Sequence, residues 1–302
     1  MKQNKSGTGP LLIILAGIFW GSMGIFVRRL SAYGFTPIQI VSLRMTAAAL
    51  VFLLILLIRD PSGFRLHLKD LPLFLGLGLM SVLFFTVCYF SAIEMMPLST
   101  AAILLYTSPI WVMLMSLIFF REKLTAVKLL SLFLAFGGCV LVSGFTGGGL
   151  SPAGLLLGLG SGLGYGLYSI LGAVALRRCS PFAVTAFTFT IAAAGSWFLC
   201  EPADMAAKLL AAPASLSLLL FVLLTGLVTA VIPFLCYTMG LKSVEASRAA
   251  ILATVEPMVA TLIGIFVFQE PVSLQSAAGI LLILCAVVLL NLPQPSKKEE
   301  KA

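Results

Sequence analysis

Two charged side chains stand where the sequence supplies almost nothing but apolar neighbours. Glu256 lies in Ala249-Ala250-Ile251-Leu252-Ala253-Thr254-Val255-Glu256-Pro257 and is the only acidic residue deep within an apolar segment; Arg44, downstream of Pro37, is the corresponding cation. A charge at the centre of a helix inserted in a bilayer costs about 2.5 kcal/mol or more on insertion scales, so such a carboxylate should face a protein interior. There Glu256 could bind an amine, carry a proton, or accept a hydrogen bond that steadies a broken helix. Arg44 could contact an anionic group, pair with a carboxylate, or snorkel to an interface.

Pro109 and Pro257 fall near the middle of long apolar runs. Each removes a backbone donor and should free the carbonyl four residues earlier, that of Leu105 and of Ala253, either as a packing kink or as part of a polar site. Trp20, Tyr89, Tyr106, Tyr165 and Tyr237 lie in these or repeated segments and offer polar-tipped aromatic surface that could wall a cavity. The six cysteines form no CxxC pair, His67 has no partner in view, and no nucleophile triad or phosphate loop appears, so neither a metal site, a cofactor nor an enzyme is supported.

The elements that must position these residues are membrane helices. The chain has 302 residues, is 60% hydrophobic and 10% charged, and has a mean hydropathy of +1.12, too apolar for an ordinary water-soluble domain. A span needs roughly 20 apolar residues, and ten segments qualify: 11–29, 37–58, 71–93, 98–120, 127–145, 152–176, 181–200, 215–240, 246–268 and 273–292. Their apolar runs are continuous rather than alternating, which argues against barrel strands.

The nonapeptide ending at Pro257 has a twin 148 positions earlier, Ala101-Ala102-Ile103-Leu104-Leu105-Tyr106-Thr107-Ser108-Pro109, with Ser108 in place of Glu256. The register extends to Cys88-Tyr89 with Cys236-Tyr237, Ser99 with Ser247 and Glu122 with Glu270, so the chain is a duplication of five spans. Five is odd, and the second copy must cross in the opposite sense. The charges agree: Glu94 becomes Lys242 and Thr100 becomes Arg248, while Arg121 becomes Gln269 and Lys123 becomes Pro271. With the N-terminus cytoplasmic, fifteen Lys and Arg fall inside and only Arg28, Arg29 and Lys208 outside, so both termini are expected in the cytoplasm. The formal charge of +8 is scattered singly between spans and reports topology rather than a nucleic-acid surface.

This divides the chain into a cytoplasmic tail (1–10), a first repeat (11–145), an outside linker (146–151), a second repeat (152–292) and a charged cytoplasmic tail (293–302). The expected fold is all-α, ten transmembrane helices as two inverted five-helix repeats. Gly154, Gly158, Gly162 and Gly166 recur every four residues on one face of the sixth span, a surface for close helix packing, for sliding, or for a homodimer contact. Inverted repeats with paired proline interruptions are a mark of transporters whose site lies at the bilayer centre.

Trp20-Gly21 in the first span, Arg44 in the second, and the Pro109 and Glu256-Pro257 segments followed by Glu122 and Glu270 together resemble the EamA-type branch of the drug/metabolite transporter superfamily. The resemblance covers about residues 10–292. It implies a bacterial inner-membrane carrier with a central cavity between the repeats, in a family whose members export amino acids and related metabolites. The expected activity is non-ATP secondary transport of a small polar molecule, most simply amino-acid efflux by alternating access with a proton as a candidate coupling ion. Uptake of a sugar or other metabolite, or a passive channel, are the alternatives.

Overall fold

The computed structural model describes residues 8–65, 67–144, 151–211 and 215–292, and every regular element among them is a helix. Most of the linker at 146–151 and of the tails at 1–10 and 293–302 lies outside the described residues. Ten long helices follow the apolar runs: α1 (Thr8–Ala32), α2 (Pro37–Arg59), α3 (Leu68–Met95), α4 (Leu98–Phe120), α5 (Ala126–Ser143), α6 (Pro152–Ala175), α7 (Pro181–Trp197), α8 (Leu216–Leu241), α9 (Ala246–Phe268) and α10 (Leu274–Asn291). Nine of them are long and apolar enough to cross a membrane. The other, α7, has 17 residues and stops at Trp197 rather than running to 200; the chain then bends by 97° into a short helix, Pro202–Ala211. That helix is tied to the start of α2, where Gln39 donates to Asp204 at 2.7 Å and accepts from Lys208 at 3.1 Å.

Helix starts are written in the sequence and repeated in both halves. Thr36 caps α2 ahead of Pro37, and Ser180 caps α7 ahead of Pro181. Thr125 caps α5 and Ser273, 148 positions on, caps α10, each helix having 18 residues. A side-chain oxygen accepts an otherwise unpaired N–H of the first turn, and proline suits the next position because its missing donor is not needed there. Two irregularities are repeated as well. Stretches of wider, π-type winding occupy Gly76–Leu83 in α3 and Leu227–Val231 in α8. Beside them, Gly78 lies against the Thr188 carbonyl of α7, and Gly226 lies against Ala47 of α2.

Packing obeys the same exchange of halves. The first helix of each repeat packs on the third of the other, α1 on α8 and α6 on α3; the second helices α2 and α7 pack together, as do the fifth helices α5 and α10. The fourth helix of each repeat packs on the first of the other, α4 on α6 and α9 on α1. Phe189 of α7 meets Phe52 of α2 at 5.1 Å and Phe234 of α8 at 4.7 Å between ring centroids, which knits the centre together. The four glycines of α6 face α3, α4 and the turn between them: an added Cβ would meet Met96 from Gly154, Leu104 from Gly158, the Leu104 carbonyl from Gly162, and Val112 from Gly166. Small residues at such crossings let backbones approach closely.

At the end of α2, Asp60 accepts hydrogen bonds from Ser180 at 2.5 Å, from Ser62 at 2.6 Å and from the Gly63 amide at 3.2 Å. These donors, Ser180 first, hold the Asp60 carboxyl below its ordinary range. A carboxyl with a depressed pKa stabilises the fold above its unfolded pKa and ceases to as the pH falls through its folded value. Ser180→Ala removes this tie as well as the α7 cap, and loss of the cap alone should lower stability by about 1 kcal/mol. The gap from wild type in thermal unfolding should be widest above about pH 4, the unfolded carboxyl range, and narrow as the pH falls from there through the lowered pKa of Asp60.

Candidate functional site

The fourth helix of each repeat is broken near its middle. Helix α4 divides into Leu98–Leu105 and Ser108–Phe120, and α9 into Ala246–Leu252 and Val255–Phe268. Proline near the start of each second half cannot donate into the first, and a threonine at each break covers a carbonyl: Thr107 Oγ1 bonds Leu104 O at 2.6 Å and Thr254 Oγ1 bonds Ile251 O at 2.7 Å. The expected free carbonyl at Ala253 is not free. It accepts from the Glu256 amide at 3.0 Å, because a turn of tighter winding replaces the kink that a continuous helix would have shown.

The break delivers Glu256 to the first turn of a helix, where the dipole favours a carboxylate. Its Oε2 accepts from the Tyr165 hydroxyl of α6 at 2.8 Å. Arg44, 7% exposed, extends from α2 into the same space; its Nη1 lies against Met23 Sδ, and its buried Nε has no hydrogen-bond partner. Arg44 and Glu256 make no ion pair with each other.

Both line a cavity of about 340 Å³. Trp20, Tyr89 and Tyr165 join them in its wall, together with Phe85, Phe90 and Phe234, which sequence reasoning did not single out. Tyr237 belongs instead to a smaller pocket next door, shared with Trp20 and Tyr165, where its hydroxyl is bonded to Ser169 at 2.7 Å. Trp20 is the hinge between the two, with ring centroids 6.0 Å from Tyr165, 5.0 Å from Phe234 and 5.4 Å from Tyr237. Tyr106 lines neither; it sits at the α4 break and packs on the cluster of Cys139, Val255 and Ile283. Pro109 and Pro257 are buried just behind the breaks.

The cavity reaches up to Val27, Pro37, Ile93 and Leu98, the ends of α1 to α4 beside the turns at 33–36 and 96–97. The opposite face, which bears the ends of α2, α4, α6 and α8, is closed below it. There the second half of α4 packs on the first half of α9, whereas the pair related to them by the repeat, the first half of α4 and the second half of α9, does not pack this closely. Glu122 anchors the closed face: it accepts from Ser247 of α9 and pairs with Lys128 at 3.2 Å, and Lys128 pairs in turn with Glu245 at 2.6 Å. Among the described residues no group of His, Cys, Asp and Glu could hold a metal ion.

A duplicated, all-helical bundle with broken central helices around a one-sided cavity is the build of a multi-pass membrane transporter. The comparisons agree. The model of the EamA-like transporter family matches residues 7–144 and again 152–292, one match per repeat, and the chain belongs to that family. It is 29% identical to an uncharacterized transporter of Archaeoglobus fulgidus over 93% of this chain and 95% of the relative. It is 35% identical over 140 residues to the pseudopaline exporter CntI of Pseudomonas aeruginosa, covering 46% of this chain and 48% of that protein. A crystal structure 19% identical in sequence superposes over 95% of this chain and 97% of its own with a TM-score of 0.78, so the fold is shared.

Tyr165 is the one side-chain donor to Glu256 among the described residues. Tyr165→Phe, which leaves the carboxylate without it, should cost about 1–3 kcal/mol in thermal unfolding, whereas Glu256→Gln, which keeps an acceptor for Tyr165, should cost less.

Proposed function

We propose that this protein is a secondary exporter of small polar metabolites, amino acids and related molecules foremost, driven by a gradient and working by alternating access. The observation that carries the reading is a buried guanidinium and a buried carboxylate that line one cavity without pairing with each other. A molecule bearing both a carboxylate and an amine would complete the two, its carboxylate on Arg44 and its amine on Glu256, with its body against Trp20, Tyr89 and Tyr165. The cavity's closed floor supports a carrier over a passive channel, which would need a path open to both faces. That the Pseudomonas relative is an exporter supports export over uptake.

In this reading the Lys and Arg bias sets both termini in the cytoplasm of a bacterial inner membrane, so the cavity faces outward in this conformation. Glu256 is the candidate for the coupling proton, because a carboxylate released by a departing cationic group can take up a proton in its place. Pro109 and Pro257 serve as breaks that keep the second halves of α4 and α9 aimed at the cavity.

The first test is a comparison of metabolites in cells and medium with and without overproduction, using a Glu256→Ala protein of equal abundance as control. Solutes that leave only with wild type give the export class; equal export by both proteins would remove Glu256 from the site. For a substrate so found, Arg44→Gln should raise the half-saturation concentration by roughly 10- to 100-fold, the loss expected for a hydrogen bond to a charged group. A decarboxylated analogue, if carried at all, should show no such change. Glu256→Gln should flatten the pH dependence of transport in proteoliposomes; an unchanged profile would remove the coupling role.

A further inference from the structure

The parts that close one face of the bundle are present at the other face but undocked. Arg121 and Gln269, 148 positions apart, are the two non-glycine residues with positive φ among the described residues, 53° and 57°. Each ends the fourth helix of its repeat by a left-handed turn, after which the amides of Glu122 and Glu270 bond back to Ser116 O at 3.2 Å and Gly264 O at 3.0 Å. The turn thus places a glutamate at the same point on both helix ends. A cation holds each one: Lys128 lies 3.2 Å from Glu122, and Arg28 lies 2.6 Å from Glu270 with its guanidinium over the Phe268 ring. Each glutamate also has a serine related to it by the repeat, second in the first half of the partner's broken helix: Ser247 in α9 and Ser99 in α4.

Ser247 donates to Glu122, and that face is closed. Ser99 is partly exposed and has no hydrogen-bond partner among the described residues; its face is the one to which the cavity opens.

We propose that Ser99 and Glu270 form the second gate. When the cavity closes toward the turns at 33–36 and 96–97, the Ser99 hydroxyl donates to Glu270, and the bond from Ser247 to Glu122 opens in exchange. This rests on the alternating-access reading above and adds to it the residues that latch each state. The two latches differ in strength. Lys128 is also gripped by Glu245 at 2.6 Å, and the position matching Glu245 in the first repeat is Pro97, which can offer no carboxylate. The side chains of Glu122 and Lys128 are 10% exposed, whereas those of Arg28 and Glu270 are 57% and 48% exposed, so solvent weakens the second pair more. The conformation with Glu122 engaged is therefore the resting one.

The test uses the full chain in native membranes with cysteines at Leu98 and Val272, exposed residues that flank the second gate without belonging to it. A short bifunctional thiol reagent is applied, and the linked 98–272 peptide is identified by mass spectrometry, which separates it from the native cysteines. Glu122→Gln, which weakens the first latch, should raise the yield of the linked peptide about tenfold. Adding Ser99→Ala should return it to near the starting level, and Ser99→Thr, which keeps the hydroxyl, should not. Ser247→Ala serves in place of Glu122→Gln if that variant does not fold. If the yield rises but Ser99→Ala leaves it high, the gate pair is overturned while alternating access stands. If weakening the first latch changes nothing in a folded protein, the exchange of gates and the alternating-access reading beneath it fail together.

Discussion

In a hydrocarbon surround, a backbone polar group that loses its helical partner must find another inside the protein, so a helix can be broken only where other helices enclose the break. The breaks in α4 and α9 meet this condition with local means, a threonine hydroxyl on one carbonyl and a tightened turn on the next. What remains is a pair of helix starts at the centre of the bundle. One of them carries Glu256, and the rest of the site is arranged about that carboxylate: Tyr165 donates to it, α6 is thinned by glycines so that it lies close to α4, and Trp20 brackets Tyr165 from α1.

The duplication supplies the scaffold twice and the charges once. Glu256 is matched by Ser108, and aligning the capped starts Pro37 and Pro181 sets Arg44 opposite Thr188 of α7, whose hydroxyl is buried without a partner. Symmetric backbone breaks therefore surround an asymmetric pair of side chains. In the proposed reading, a symmetric scaffold would allow two equivalent poses of the bundle, while the one guanidinium and one carboxylate would hold a solute in a single orientation through both.

Spans, repeat and break positions were legible in the sequence because each rests on a one-dimensional signal: length of an apolar run, recurrence at a fixed offset, proline. Helix phase was less so. In a bundle whose outer surface meets lipid, apolar residues cover both faces, and hydropathy does not say which side of a helix points inward. Tyr106 is a cavity candidate in the sequence only by its neighbourhood, and it packs behind the cavity, while Phe85, Phe90 and Phe234, which carry no polar tip, line it. The matched π-type stretches in α3 and α8 share no sign in composition, since one contains Gly76 and Gly78 and the other is followed by Ile232-Pro233. Glu122 and Glu270 are visible in the sequence only as markers of the repeat; that Ser247 donates to Glu122 while, among the described residues, Glu270 is held by Arg28 alone is a fact of the bundle's pose.

That difference follows from inversion itself. A repeat copies backbone geometry, and the left-handed turns at Arg121 and Gln269 survive unchanged because they need only local bonds. Charge is not free to be copied, because under the proposed orientation the second copy's turn lies on the side of the membrane where cations are disfavoured in short loops. Ser276 accordingly stands where a second Lys128 would fall, and the cation for Glu270 comes from α1 instead, as Arg28 at an exposed helix end. The two proposed gates, alike in geometry, would thus differ in strength for a reason external to the protein. Under the proposed orientation and exchange of gates, the membrane's own asymmetry would bias a symmetric scaffold toward the pose in which its cytoplasmic face is shut.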